Sequence, residues 1–166
     1  MARRPLPGEF ELIARYFAPL AAGAPGAFNL SDDVAVVEVG PGEQLAVKAD
    51  AIVAGVHFLP ADPPDLIARK LLRVNLSDLA GKGARPLGYL LTCAISNDVD
   101  EAWLAKFVDG LGADQREFGL SLLGGDTTAT PGPLTLSATV FGAIAKGRLP
   151  WRGAAQAGDA VLVSGT

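Results

Sequence analysis

The middle of the chain carries the pattern that decides the fold: DPPDLIARKLLRVNLSDLA at residues 62–80, then YLLTCAI at residues 89–95. Proline is tolerated in the first turn of a helix, so residues 62–65 mark a helix start. Few helix breakers follow before Gly81 and Gly83, and residues 66–80 therefore predict a helix. The apolar run at 89–95 is typical of a buried strand. This part of the chain predicts helices packed against a sheet.

The flanking segments continue this succession of helices and strands. Apolar residues at helical spacing predict helices at residues 9–20, 66–80 and 100–118. Short aliphatic or β-branched runs predict strands at residues 34–39, 45–47, 89–95, 120–123, 134–144 and 160–164. The first two predicted strands flank Gly40-Pro41-Gly42, which favours a tight hairpin turn. The order predicts an α/β protein of the α+β type, with a mixed sheet covered by helices on one face.

Composition excludes several classes of partner. The chain has 14 basic and 18 acidic residues, a net charge of −4, and no Lys/Arg run of the kind that binds nucleic acid. Cys93 is the only cysteine and lies in an apolar run, which predicts a buried thiol and a reducing cytoplasm. No apolar segment approaches the ~20 residues of a membrane helix, and no signal peptide pattern follows Met1, so we expect a soluble protein.

Four aspartates suggest a magnesium and phosphate site. Asp33, Asp50, Asp78 and Asp126 each lie where an apolar run gives way to small or hydroxylated residues. Magnesium takes oxygen ligands and is usually held by a few carboxylates together with nucleotide phosphates. If the predicted hairpin forms, Asp33 and Asp50 lie at the same end of the sheet, because its strands are antiparallel. If all four acids converge, they form such a site.

Each motif also has a purely structural interpretation. Asp32-Asp33 is commonly a turn or a cap, and His57 alone is commonly a neutral loop histidine. Gly124-Gly125-Asp126-Thr127-Thr128 is either a plain loop or a loop whose glycines let the backbone approach a bound group; it is not a Walker A loop. Asn75 and Asp78 share one helix face, which is either solvated or paired with a cation.

Taken together, the motifs resemble the thiamine-monophosphate kinase family, whose superfamily also includes aminoimidazole ribonucleotide synthetase and selenophosphate synthetase. The resembling stretches are residues 8–13, 31–33, 50–58, 74–80 and 124–128, and Gly147-Arg148 followed by Arg152. The resemblance implies a cytoplasmic kinase with a fold like the N-terminal domain of aminoimidazole ribonucleotide synthetase. It also implies a homodimer in which the two sheets pair into a barrel.

The resemblance assigns roles to individual residues. It implies that several magnesium ions are held by Asp33, Asp50, Asp78 and Asp126, with Asp32 as a secondary candidate. Gly125, Asp126 and Arg152 would contact ATP, and His57 would contact thiamine phosphate. The implied reaction phosphorylates thiamine phosphate to thiamine diphosphate, with no residue assigned as a catalytic base.

Three features depart from the family pattern. Ser31 stands where the family usually has glycine, and Lys48 and Ala49 stand where it has hydroxyl residues before Asp50. Ala49 offers no side-chain oxygen, and Lys48 could neutralise phosphate charge instead, so the number of magnesium ions stays open. Family members are also longer, which implies an ATP- and magnesium-binding domain at 1–150 and, at 151–166, the start of a second domain otherwise absent from this chain.

Two other functions remain open at the level of sequence. The chain could be a non-catalytic dimerisation and magnesium-nucleotide-binding fragment. It could also be another ATP-using member of the superfamily with a different acceptor, such as a formylglycinamidine or selenide substrate. His57 in Gly55-Val56-His57-Phe58 favours thiamine phosphate mildly, because the acidic motifs are shared more widely.

Overall fold

The computed structural model describes residues 6–163 and contains a four-stranded mixed sheet with two long helices. The helices are α1 (Glu9–Leu12), α2 (Pro64–Ala80) and α3 (Glu101–Phe118). The strands are β1 (Glu43–Val53), β2 (Arg85–Ser96), β3 (Ser121–Thr130) and β4 (Thr135–Ala145). Among the described residues, no helix is both long enough and apolar enough to cross a membrane.

The sheet has the strand order β1-β4-β2-β3. β4 pairs antiparallel with both β1 and β2, and β2 pairs parallel with β3. A parallel pair needs a crossover connection, and α3 supplies it between β2 and β3. The predicted mixed sheet is therefore confirmed.

The two faces of the sheet differ in what covers them. On β4, Leu136, Ala138 and Val140 are buried in the core together with residues of α2 and α3, so one face is covered by these helices as predicted. Residues paired across strands point to the same face, and the row Ala51, Ser137, Thr92 and Asp126 points to the other one. We call this second face the open face.

The predicted hairpin is wrong. Residues 34–39 form no strand, and β1 starts only at Glu43, after the turn. The Val36 N–H donates to the Gly26 carbonyl at 2.8 Å, while Ala35 and Val37 pack with Ala21 and Ala27 near one end of the open face. The segment thus belongs to the part of the chain before β1, residues 6–42, which we call the N-terminal wrap. β1 pairs with β4 instead.

Other boundaries also differ from the sequence expectation. Residues 9–20 are helical, but the helix changes from α1 to a π turn at Ile13–Phe17 and a 3-10 turn at Ala18–Ala21. Pro19 has no N–H to donate in a continued α-helix. β3 is longer than the predicted 120–123. Ala160 to Val163 form no strand and are exposed, and Ser164 of that prediction lies outside the described residues.

α2 and α3 lie very close together at Gly110. A Cβ placed on Gly110 would meet the Asp65 carbonyl oxygen at 2.4 Å and its Cα at 2.7 Å. The same two helices are joined by Arg73, whose Nε and Nη2 donate to the buried carboxylate of Asp114 at 2.8 Å each. This contact holds α2, and with it Asp78, in a defined position over the sheet.

We predict that Gly110→Ala lowers the free energy of unfolding by about 2 kcal/mol, because overpacked contacts against backbone force the helices apart. Gly112→Ala is the matched control on the same helix, since its Cβ would meet only side-chain atoms at 3.4 Å. That control should leave stability unchanged or raise it by up to ~1 kcal/mol through helix propensity. Urea unfolding of both variants measures the difference; equal stabilities would contradict this packing.

Candidate functional site

β1 and α2 bring two of the four predicted magnesium ligands together. Lys48 and Asp50 pair with the buried Val140 and Ala138, so both point to the helix-covered face. The Lys48 Nζ donates to Asp50 Oδ1 at 3.0 Å and lies 3.0 Å from Asp78 Oδ2. Hydrogen bonds to Asp50 and then to Asp78 raise the pKa of Lys48. The two carboxylates thus converge on an ammonium group.

A cavity of about 710 Å³ adjoins this ion-pair cluster. Its polar lining comprises Gln44, Lys48, Ser77, Asp78, Lys82 and Arg152. The Lys82 Nζ donates to the Pro150 carbonyl at 3.0 Å, which ties the segment before Arg152 to the end of α2. The size is that of a small-molecule site, and the three cationic side chains suit a ligand that carries phosphate.

Asp126 lies elsewhere on the same chain. It is inside β3, in register with Thr92, and on the open face, rather than after a strand end as predicted. Asp50 points to the opposite face on β1, at the other edge of the sheet. Three inter-strand spacings separate β1 from β3, roughly 14 Å across the sheet. A single copy therefore does not unite Asp126 with Asp50 and Asp78.

Gly125 has a structural reason to be glycine. Its φ is +155°, and a Cβ there would lie 1.8 Å from the Leu91 carbonyl oxygen of β2. The backbone approach expected of this glycine therefore occurs against the neighbouring strand. No side chain but hydrogen fits at this position of the β2–β3 pair.

The Asp32-Asp33 pair lies in the N-terminal wrap. Asp32 Oδ1 accepts a hydrogen bond from the Val34 N–H at 3.3 Å, which is the local turn role of aspartate. Asp33 is exposed, and without the hairpin nothing places it beside Asp50. Within residues 6–163, no three His, Cys, Asp or Glu side chains come together as a metal-binding group.

His57 is held in the loop between β1 and α2. Its Nδ1 accepts a hydrogen bond from the Val53 N–H at 3.1 Å, and the Lys70 ammonium donates to its carbonyl oxygen. In a neutral ring, an accepting Nδ1 leaves the proton on Nε2, which is then the available donor. The side chain is exposed, so this N–H is free to meet a ligand from solvent.

Lys82 is a charged cavity residue that sequence reasoning missed. It follows α2 in Gly81-Lys82-Gly83, four residues after Asp78. The available signal was a cation just beyond the C-terminal end of a predicted helix, where a basic residue interacts favourably with the free carbonyl groups of the last turn.

Comparison with known proteins identifies the family. The family described as AIR synthase related protein, N-terminal domain, matches residues 31–144, so the chain belongs to it. Thiamine-monophosphate kinase from Caulobacter vibrioides is 49% identical over 160 residues, which cover 96% of this chain and 46% of that protein. The chain thus spans about half the length of the relatives it matches.

Solved structures share the fold. Thiamine-monophosphate kinase from Stenotrophomonas maltophilia K279a superposes with a TM-score of 0.71 at 37% identity, covering 84% of this chain and 43% of that one. AaThiL complexed with AMPPCP and TMP gives a TM-score of 0.60 at 24% identity, covering 82% of this chain and 42% of that one. The second likeness shows the fold alone.

Cys93 lies on β2, next to β3, and points to the helix-covered face of the sheet. Its thiol is buried as predicted, and it pairs with Thr127, the neighbour of Asp126. Burial, and to a lesser extent the negative charge of Asp126, raise the pKa of Cys93 to about 12. The unfolded chain has an ordinary thiol pKa of 9.0. Between about pH 9 and pH 12, the folded chain therefore keeps a thiol proton that the unfolded chain releases.

We predict that Cys93 stays unmodified by a thiol reagent at pH 8 in the folded chain and reacts fully in denaturant. The free energy of unfolding should also fall as pH rises from about 9 towards 12, because only the folded state retains the thiol proton there. Reagent titration with and without urea checks the first point. Rapid modification at pH 8 without urea would show that the thiol is accessible.

Proposed function

We propose that this chain carries the N-terminal half of an ATP-dependent kinase that converts thiamine phosphate to thiamine diphosphate. The observation that carries the proposal is the cavity whose lining includes Asp78, Lys48 and Arg152. It lies in a chain that is 49% identical to a thiamine-monophosphate kinase. The complex of AaThiL with AMPPCP and TMP supports an ATP-like nucleotide and TMP as the two ligands. On the family resemblance, we propose that the reaction takes place in the cytoplasm.

The cationic side chains of the cavity would bind the nucleotide phosphates. Arg152 presents a guanidinium group that can donate two parallel hydrogen bonds to a phosphate. Lys82 adds a second positive charge to the lining of the cavity. Gly125 and Asp126 remain proposed ATP contacts, although they lie at the far edge of this sheet.

The carboxylates would provide magnesium ligands. Lys48 contacts Asp50 Oδ1 and Asp78 Oδ2, which leaves the second oxygen of each carboxylate available. Two carboxylates together with phosphates match the way proteins usually hold magnesium. Bound magnesium would offset the repulsion between the phosphates of the two substrates. Asp33 and Asp126, with Asp32 in addition, complete the proposed ligand set.

The acceptor needs no dedicated base. An oxygen of thiamine phosphate attacks the γ-phosphorus of ATP, and the bond from that phosphorus to the β–γ bridging oxygen breaks as ADP leaves. The second ionisation of a phosphate monoester lies near pH ~6, so the acceptor is already an anion at neutral pH. His57 Nε2 would donate a hydrogen bond to this phosphate and orient it, which is a positioning role.

The open face of the sheet offers a surface for a homodimer. The open face exposes Val47, Ala51 and Thr92 instead of covering them with helices. We propose that the open faces of two copies pair into a barrel around a two-fold axis. Asp126 points into that face, so the barrel would enclose it next to the second copy, whereas Asp50 would stay on the helix-covered side of its sheet.

A second candidate function is a non-catalytic dimerisation and magnesium-nucleotide-binding module. It is favoured by one observation, that Asp126 and Asp50 lie on opposite faces of the sheet in a single copy. Release of ADP with thiamine phosphate and magnesium, measured in a coupled assay, separates the two candidates. Turnover supports the kinase; magnesium-dependent binding of AMPPCP without turnover supports the module. A different acceptor would appear as ADP release that does not respond to thiamine phosphate.

We predict that Asp78→Asn weakens magnesium-dependent binding of AMPPCP at least about tenfold, or ~1.4 kcal/mol, because it removes a charged oxygen ligand. Calorimetry with magnesium and with EDTA isolates the metal-dependent part of the affinity. Asp109→Asn removes the same charge from an exposed position on α3 and is the matched control. Unchanged nucleotide affinity in Asp78→Asn would refute the site.

We also predict that Ala51→Arg converts the dimer to a monomer. The substitution places a charge in the middle of the open face, where pairing would bury it without a partner. Sizing chromatography should give twice the 17.0-kDa chain mass for the unchanged protein and the single mass for the variant. Ala102→Arg on the exposed side of α3 should remain dimeric. A monomer before any substitution would reject the barrel.

A further inference from the structure

We infer that the ammonium group of Lys48 is a tethered cation that takes the place of one divalent ion between Asp50 and Asp78. The inference rests on the proposed function and deepens it, because it assigns a role in the metal site to a residue of this chain. It concerns the number of ions that the two carboxylates can hold before a nucleotide arrives.

The contact geometry supports this role. Both carboxylates lie 3.0 Å from the same Lys48 Nζ, on the side of β1 that faces α2. The ammonium therefore occupies the space between the two acids. A divalent ion placed there would lie against a positive charge, which opposes its binding.

The surroundings of Lys48 favour its contact with the two carboxylates. Its side chain is 30% exposed, whereas that of Asp78 is 57% exposed, so the lysine is the more enclosed partner. The other two cations of the cavity do not compete for the acids in this structure. Lys82 donates to the Pro150 carbonyl, and Arg152 is an exposed residue of the cavity lining.

The neighbouring residue, Ala49, is consistent with this role of Lys48. Ala49 pairs with Thr139 and therefore points to the open face, away from Asp50 and Asp78. The family resemblance implies hydroxyl residues at the two positions that Lys48 and Ala49 occupy in this chain. Of these two positions, only that of Lys48 faces the carboxylates. A hydroxyl there would offer a metal ligand, whereas an ammonium offers only donors. The exchange at this position replaces a metal ligand with a cation.

Manganese binding to the nucleotide-free chain tests the inference, with electron paramagnetic resonance counting the bound ions. The unchanged chain should hold no manganese between Asp50 and Asp78, so Asp78→Asn alone should leave the count unchanged. Lys48→Met should add one ion per chain, and the double variant with Asp78→Asn should lose it again. Lys48→Arg should add no manganese ion, because it retains the positive charge between the two carboxylates.

Lys82→Met is the matched control, since it removes a positive charge from the same cavity without touching either carboxylate. It should add no ion. Circular dichroism confirms that each variant folds, and Lys48→Ala replaces Lys48→Met if the latter does not. An equal manganese count in the unchanged chain and in the neutral Lys48 variant would overturn the inference. So would a manganese ion in the unchanged chain that Asp78→Asn removes.

Failure of this inference can be told from failure of the proposed function. If the unchanged chain binds AMPPCP with magnesium but the neutral Lys48 variants gain no manganese, only the role of Lys48 is wrong. If the variants gain the ion but no chain binds AMPPCP, the cation role stands as a property of the carboxylate pair and the nucleotide site is wrong.

Discussion

The pairing of β4 with both β1 and β2 is the constraint on which the rest of the structure depends. β4 lies between two strands that come from much earlier in the chain, and its register with β1 decides which β1 residues meet the helices. Because side chains alternate along a strand, a slip of one residue would move Lys48 and Asp50 to the open face. The ion-pair cluster with Asp78 exists only in the observed register. The site and the core are therefore set by the same contact.

Patterns within one segment were readable from the sequence. α2, α3, β2 and β4 follow their apolar periodicity closely, because each buries a face that its own residues define. The hairpin failed for the opposite reason: residues 34–39 and 45–47 look like neighbours, but β1 pairs with β4, and no local pattern indicates that pairing. Long-range pairing was decided by the fold as a whole.

The candidate site shows the same division. Local sequence patterns suggested Asp50 and Asp78 as candidate ligands, but the two come together only because α2 lies against β1. The position of Lys48 between them follows from the register of β1 on β4. Gly124-Gly125 suggested the end of a strand, whereas β3 continues through it because Gly125 allows close contact with Leu91. The separation of Asp126 from Asp50 and Asp78 could not be read from a list of motifs. It arises from strand order and face, which motifs do not specify.

The late position of β4 has a consequence for how the protein is made. During synthesis, β1, α2, β2, α3 and β3 all leave the ribosome before the central strand exists. Until then β1 has no partner strand in the sheet, and α2 lacks the part of its packing surface that β4 provides. Contacts between distant parts of a chain slow folding and prolong the time that apolar surface is exposed to other molecules. The nascent domain therefore exposes the apolar surface that β4 will cover until residues 135–145 emerge.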